Sequence, residues 1–189
     1  MLDEQDLAAK LSLDKVRFQE FLSISETKVF KKNTTIFDGR TTCNWLGYII
    51  NGAVRTYCIN DRGEDISFLL QVNGDFFGDY ESYITGHKAE FIIEALLDCE
   101  VLIFEKTALE RLMESDIFWL KFGRQMADIV FLEAKHRITD LLFYNPEQRY
   151  QNLLQKSPEV MRKIPQKYIS SYLGITPQSL SRIRKRIIN

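Results

Sequence analysis

The spacing of apolar residues along this 189-residue chain changes character three times. Over residues 3–22, Leu7, Leu11, Val16, Phe18, Phe21 and Leu22 stand among charges at intervals that predict one or two short amphipathic helices. From Lys28 to Glu105 the pattern becomes short β-branched and aromatic runs, punctuated by Asp38-Gly39, Asn51-Gly52, Asp61-Arg62-Gly63 and Asn73-Gly74. Seven or eight strands are predicted there, with no helix among them. Strands this short and this regularly spaced favour a sandwich, barrel or jelly roll over a parallel α/β sheet. Helix then returns, first over residues 107–113 and then over residues 116–144. Along the longer one, Leu120, Gly123, Ala127, Val130, Ala134, Ile138 and Leu141 recur at steps of three and four. Such a seam covers either the chain's own β region or a second copy of the helix. A parallel dimer coiled coil is the preferred expectation, although Glu133 and His136 stand close to the seam.

The last rhythm is the most informative. From Ile164 to Ile187 the sequence reads helix, turn, helix. Pro165 suits the first turn of one helix, Gly174 suits the left-handed residue that ends it, and Thr176 can cap the next with Pro177 just inside. A turn of about three residues sets two short helices at a steep angle, as when a second helix enters the major groove. At about 100° per residue, Leu180, Ile183 and Ile187 share one side of that helix, while Gln178, Ser181, Arg182 and Lys185 share the other. The Gln178 amide suits adenine and the Arg182 fork suits guanine, so these two are the candidate base readers. Ser179 and Arg186 lie on the flank, where phosphate contact is expected, and Gln166, Lys167 and Thr176 complete the expected DNA-contacting set. A solvated basic helix with no nucleic-acid partner is the bland alternative.

Charge sharpens this division. Residues 146–189 hold nine Lys/Arg against Glu147 and Glu159, a net +7, so the overall −1 leaves the first 145 residues at −8. All four prolines lie in the basic segment and seven of the nine glycines lie between Gly39 and Gly86, which separates a glycine-cornered β unit from a small helical one. Cys43, Cys58 and Cys99 are dispersed without a C-x-x-C, which opposes a disulfide framework and a zinc or iron-sulfur site; they are expected to be small buried hydrophobes. His87 and His136 show no metal-binding pairing, so neither a metal site nor a catalytic residue is assigned. No apolar run approaches the length of a membrane span, and the acidic start at Asp3, Glu4 and Asp6 opposes a secretory signal, so a cytoplasmic protein is expected.

These residues resemble the Crp/Fnr family of bacterial transcription regulators over nearly the whole chain. In the β segment, Trp45-Leu46-Gly47-Tyr48-Ile49-Ile50-Asn51-Gly52-Ala53-Val54-Arg55 is similar to that family's strand-turn-strand ending in Gly-x-Val-Arg. Gly74-Asp75-Phe76-Phe77-Gly78-Asp79 is similar to its approach to the ligand pocket. The helix-turn-helix, taken with Pro146-Glu147-Gln148-Arg149-Tyr150, resembles a compact branch lacking the β-hairpin wing, since the chain stops at Asn189. The resemblance implies an α+β fold: an antiparallel β-roll (a double-stranded β-helix or jelly roll) with flanking helices, a long dimerisation helix and a small all-α helix-turn-helix domain. The implied boundaries are a cyclic nucleotide-binding-like sensor at 1–115, a dimer helix at 116–145 with Leu120, Ala127, Val130, Ala134, Ile138 and Leu141 at its contact, and a DNA-binding domain at 146–189.

The resemblance also implies an effector pocket of Phe77, Gly78, Asp79, Ala89, Glu90 and, on the long helix, Glu133. Relatives that bind cyclic nucleotides hold the phosphate and ribose with a Gly-Glu pair followed by Arg-Ser. Here Gly78-Asp79 is followed by Ala89-Glu90, so a cyclic phosphate loses a guanidinium and meets a carboxylate. Glu133 and Ala134 stand where relatives place hydroxyl groups against the base. Cyclic AMP is therefore not expected in the usual pose, although His87 or Lys88 could supply a cation. Three cysteines cannot furnish a four-thiolate cluster and neither histidine is marked as a haem ligand. No cofactor is required, and the roll is expected to sense an unknown small molecule or another signal.

The expected function is sequence-specific transcription regulation without catalysis. The expected partners are a second copy, double-stranded DNA with a near-palindromic operator, and RNA polymerase; no membrane is expected. The rival readings are a ligand-binding or protein-interaction roll without specific DNA binding and, less favoured for want of histidines, a cupin-like enzyme.

Overall fold

A computed structural model describes residues 4–188. Asp3 and Asn189, which the sequence reading placed at the start of the first helix and at the wingless end, lie outside the described residues. In chain order the elements are α1 (Glu4–Lys10), α2 (Lys15–Ser23), β1 (Ser25–Phe30), β2 (Thr35–Phe37), β3 (Trp45–Asn51), β4 (Ala53–Ile59), β5 (Asp65–Val72), β6 (Phe76–Phe77), α3 (Tyr80–Thr85), β7 (Ile92–Ala95) and β8 (Cys99–Glu105). There follow α4 (Lys106–Ser115), α5 (Ile117–Phe143), α6 (Pro146–Lys156), α7 (Pro158–Lys163), α8 (Gln166–Leu173) and α9 (Pro177–Ile188). The described residues form two compact units, one of 4–58 with Phe68–Glu110 and the other of Ile59–Ser67 with 111–188.

The first unit is a jelly roll of two four-stranded sheets ordered β1-β8-β3-β6 and β2-β7-β4-β5. Antiparallel register puts Ile49 opposite Val101 and Gly47 opposite Ile103 in one sheet, and Val54 opposite Ala95 in the other. Because side chains alternate across a strand, these positions turn inward and fuse with Phe77, Ile93 and Cys99 into one buried core, flanked by Phe30, Ile36, Phe37 and Trp45. On the opposite face of β8, Phe104 meets Phe21 of α2 with ring centroids 4.3 Å apart. The helical spacing of Phe18 and Phe21 thus becomes a lid over the roll.

The strand run is broken by α3, contrary to the expectation of uninterrupted β structure. Six residues are too few to display a 3.6-residue apolar repeat, so the helix is fixed by its ends: Asp79 accepts from Ser82 N and Gly86 closes it. Cys43 and Cys99 are buried as expected, whereas Cys58 is only half-buried. No described helix is long and apolar enough to cross a membrane.

In the second unit, α5 runs from an Asp116 cap, whose carboxylate accepts from Phe118 N, to Tyr144. Asn145 then caps α6 through a reciprocal box with Gln148, and Pro146, Pro158 and Pro177 each sit at the start of a helix. Pro165 departs slightly from expectation, preceding α8 as its N-cap residue rather than lying in its first turn.

Candidate nucleic-acid interface and effector pocket

The turn between α8 and α9 is built by three residues. Gly174 takes φ 66° and its N–H returns to the carbonyls of Ser170 and Ser171, closing α8. A side chain there would have to hold a left-handed backbone conformation. Thr176 Oγ1 then accepts from Ser179 N at 3.2 Å, starting α9. Leu180 and Ile183 are 1% and 3% exposed, so α9 is seated on its apolar side. That seating leaves Gln178, Ser181, Arg182 and Lys185 on the outside. Among the described residues the side chains of these four make no hydrogen bond or ion pair.

The other predicted contact residues are less open. Ser179 is half-buried and its Oγ accepts from the Thr176 hydroxyl at 3.0 Å, so both belong to the cap of α9. Arg186 pairs with Glu147 of α6 at 3.1 Å. Gln166 and Lys167 are exposed at the start of α8, with the Lys167 ammonium 4.4 Å from the centre of the Tyr168 ring.

Along α5, Leu120, Val130, Ile138 and Leu141 are exposed, as is Ala134, while Ala127 is half-buried. Gly123 stands apart from this seam, because a β-carbon there would lie 2.5 Å from Met113 Sδ of α4. Its smallness serves packing within the chain rather than approach of a second helix. The exposed surface is broader than the repeat of three and four suggested, since Phe131 is 68% and Phe143 is 77% exposed.

In the roll, Gly78 has φ +148°, and a β-carbon there would meet Leu46 Cδ2 at 3.0 Å. Next to it Asp79 is buried; its Oδ1 accepts from Ser82 N at 2.9 Å and its Oδ2 has no partner. Ser82 Oγ donates to His87 O at 2.6 Å and accepts from Cys43 N at 2.9 Å, which ties the loop after α3 to the segment before β3. Burial pushes the Cys43 thiol above its ordinary pKa, outweighing the hydrogen bonds that oppose the shift. Ala89 is buried with its N–H donating to Thr41 O at 3.1 Å, while Glu90 is exposed. Phe77 belongs to the core, and Glu133 lies on α5 in the second unit.

Residues 27–116 match the cyclic nucleotide-binding domain family. Solved structures extend the likeness beyond them. FixK2 from Bradyrhizobium japonicum superposes with a TM-score of 0.76 at 18% identity, covering 87% of this chain and 84% of that one. The chain has the fold of a Crp/Fnr regulator. A Crp/Fnr-family transcriptional regulator from Thermus thermophilus gives 0.67 at 19% identity with 86% of each chain covered. The c-di-GMP responsive global regulator CLP from Xanthomonas campestris gives 0.68 at 19% identity, covering 92% of this chain and 91% of that one. No curated protein matches the sequence.

A cyclic nucleotide in its usual pose does not fit the residues present in this Crp/Fnr fold. The Asp79 oxygen with no partner suits a ribose hydroxyl, but Ala89 has no cationic head and a committed N–H, and Glu90 is an exposed carboxylate, so neither replaces the guanidinium that would meet the phosphate. An anionic phosphate there would be desolvated without a guanidinium.

Sequence reading missed one polar junction of the second unit. Arg137 of α5 donates from Nη1 to Tyr172 O at 3.0 Å and from Nη2 to Ser67 O at 3.1 Å, with its guanidinium 3.9 Å from the centre of the Tyr172 ring. Ser67 N in turn donates to Ser171 Oγ at 2.9 Å. An arginine among seam residues was the only sequence signal, and periodicity alone cannot say which way such a side chain folds.

Proposed function

We propose that this chain is a homodimeric, sequence-specific DNA-binding transcription regulator of the Crp/Fnr type. The observation that carries the reading is the outward face of α9, where Gln178, Ser181, Arg182 and Lys185 are exposed without an intrachain role on a helix anchored by Leu180 and Ile183. Gln178 and Arg182 read base edges, and Lys185 and the neighbouring cations hold phosphates. Arg186 joins them by exchanging Glu147 for a phosphate. The exposed apolar side of α5 pairs with its counterpart in a second copy, placing two α9 helices on half-sites ~34 Å apart in a near-palindromic operator. In this reading residues 1–115 are the sensor, 116–145 the dimer helix and 146–189 the reader.

The roll senses an effector other than cyclic AMP in the usual pose, and the effector acts by binding two arrangements of the dimer unequally. No bond is made or broken. A regulator of this kind works in the cytoplasm and acts with RNA polymerase. Selection from a random pool of duplexes tests the DNA reading: enrichment of an inverted repeat, with affinity falling steeply as salt rises, is expected. Enrichment of no inverted repeat would defeat it. Calorimetric titration with cyclic AMP and cyclic GMP tests the effector reading and should give no saturable heat; micromolar binding abolished by Asp79→Ala would reverse it.

A further inference from the structure

A cavity of about 350 Å³ opens among α6, α7, α8 and α9, on the apolar flank of α9. Its floor is Ile169 and Leu180, its walls include Leu154 and Met161, and Arg162 and Arg184 stand at its rim. The floor is buried core, whereas Leu154 is 38% exposed, so apolar surface continues from the interior out to solvent. Around a helix Arg184 lies about 160° from Arg182 but about 60° from Ser181, and Gln166 also lines the groove, so the groove adjoins the reading face without including its base readers. Arg184 forms no ion pair among the described residues, whereas Arg162 and Lys163 share Glu159 at 2.7 and 3.3 Å. The rim therefore remains net positive around an apolar floor.

These features select the occupant. A nucleic-acid backbone matches the rim but gains nothing from Leu154 and Met161. A second copy docking the same groove by twofold symmetry would set two net-positive rims against each other. We propose that this groove binds an acidic peptide segment carrying apolar anchor side chains, with the anchors over Leu154 and Met161 and a carboxylate on Arg184. The inference goes beyond DNA reading and does not rest on it.

The test uses the full chain without DNA and a fluorescein-labelled peptide that alternates Leu-Leu with Glu-Asp, followed by fluorescence anisotropy. Saturable binding is expected, with a loss of about tenfold in Arg184→Glu or Leu154→Ser. Arg182→Ala and Lys185→Ala should bind the peptide as the parent does. Circular dichroism melts confirm that each variant is folded; Leu154 and Arg184 are not fully buried, so neither change empties the core. A peptide with Ser in place of Leu should bind at least about tenfold more weakly. Absence of binding, equal binding of the Ser peptide, or insensitivity to both groove changes would overturn the proposal. Equal loss in Lys185→Ala would also overturn it, by showing that the peptide merely imitates DNA on the reading face. A shift in oligomeric state on Leu154→Ser would assign the groove to a second copy instead.

Discussion

Arg55 in the roll and Arg182 in α9 place the same guanidinium in opposite circumstances. Arg55 is 2% exposed; its Nε lies 2.8 Å from Glu94 Oε1, close as an ion pair though not aligned as a hydrogen bond, and its guanidinium lies 4.0 Å from the centre of the Tyr57 ring. Arg182 is exposed, with no partner among the described residues. A charge committed to its own chain holds a structure together, whereas an uncommitted fork on a rigidly seated helix is available to something outside. The two candidate sites repeat this contrast. Around Asp79 the available groups are mostly engaged by the chain or turned inward, while Gln178, Ser181, Arg182 and Lys185 remain open.

The largest effect that can break the comparison is on stability. Arg55→Ala strands the largely buried Glu94 carboxylate and is expected to cost about 3–5 kcal/mol in denaturant unfolding. DNA affinity per folded molecule should remain close to that of the parent. If unfolding is unchanged, Arg55 is less committed than its burial implies, and the distinction between the two arginines loses its footing.

Arg182→Ala should reverse that pattern. Its unfolding free energy should stay within about 0.5 kcal/mol of the parent. Binding to the selected operator should weaken by about 1–3 kcal/mol, with relaxed choice at one base pair. Lys185→Ala should weaken all duplexes more evenly and flatten the salt dependence. Equal, sequence-independent losses in both variants would show that the reading side of α9 is misassigned.

A smaller effect separates reading from support on α9. Thr176→Ala removes the acceptor for Ser179 N and should cost about 1 kcal/mol in stability. Its loss of affinity should be similar on every sequence, because the cap positions the helix rather than a base contact. A specificity change confined to one base pair would make Thr176 a reader.

These cases also show why the helix-turn-helix was more legible in sequence than the roll. The turn is local: Gly174, Thr176 and Pro177 determine it within a few residues, and the alternation of Leu180 and Ile183 with polar neighbours gives the facing directly. The roll's connections are distant. Nothing near Ser82 announces that it receives Cys43 N, and nothing near Thr41 announces that it receives Ala89 N–H. Helix α3 was hidden by its brevity, and periodicity does not show that Met113 fills the space above Gly123. The replacement of a guanidinium-bearing pair by Ala89-Glu90 was legible only because a family pattern supplied the comparison. That Ala89 is buried with its N–H committed to Thr41 is what only coordinates reveal.

The smallest expected effect concerns Glu133, a carboxylate near the proposed seam that is neither committed like Arg55 nor fully open like Arg182. Although exposed in the single chain, its carboxyl is pushed above the ordinary glutamate range by loss of surrounding water. Pairing of α5 should remove more water and raise it further, so the dimer binds more protons than two separate chains. By linkage, association is favoured as pH falls through the raised pKa and opposed above it, where the carboxylate is charged. Gln stands in for the uncharged form, so Glu133→Gln should dimerise more tightly than the parent near pH 8, with the difference shrinking toward about pH 4. Sedimentation equilibrium of both proteins at each pH reads this difference directly. A difference independent of pH would place Glu133 outside the seam and move the twofold contact toward the faces that carry Phe131 and Phe143.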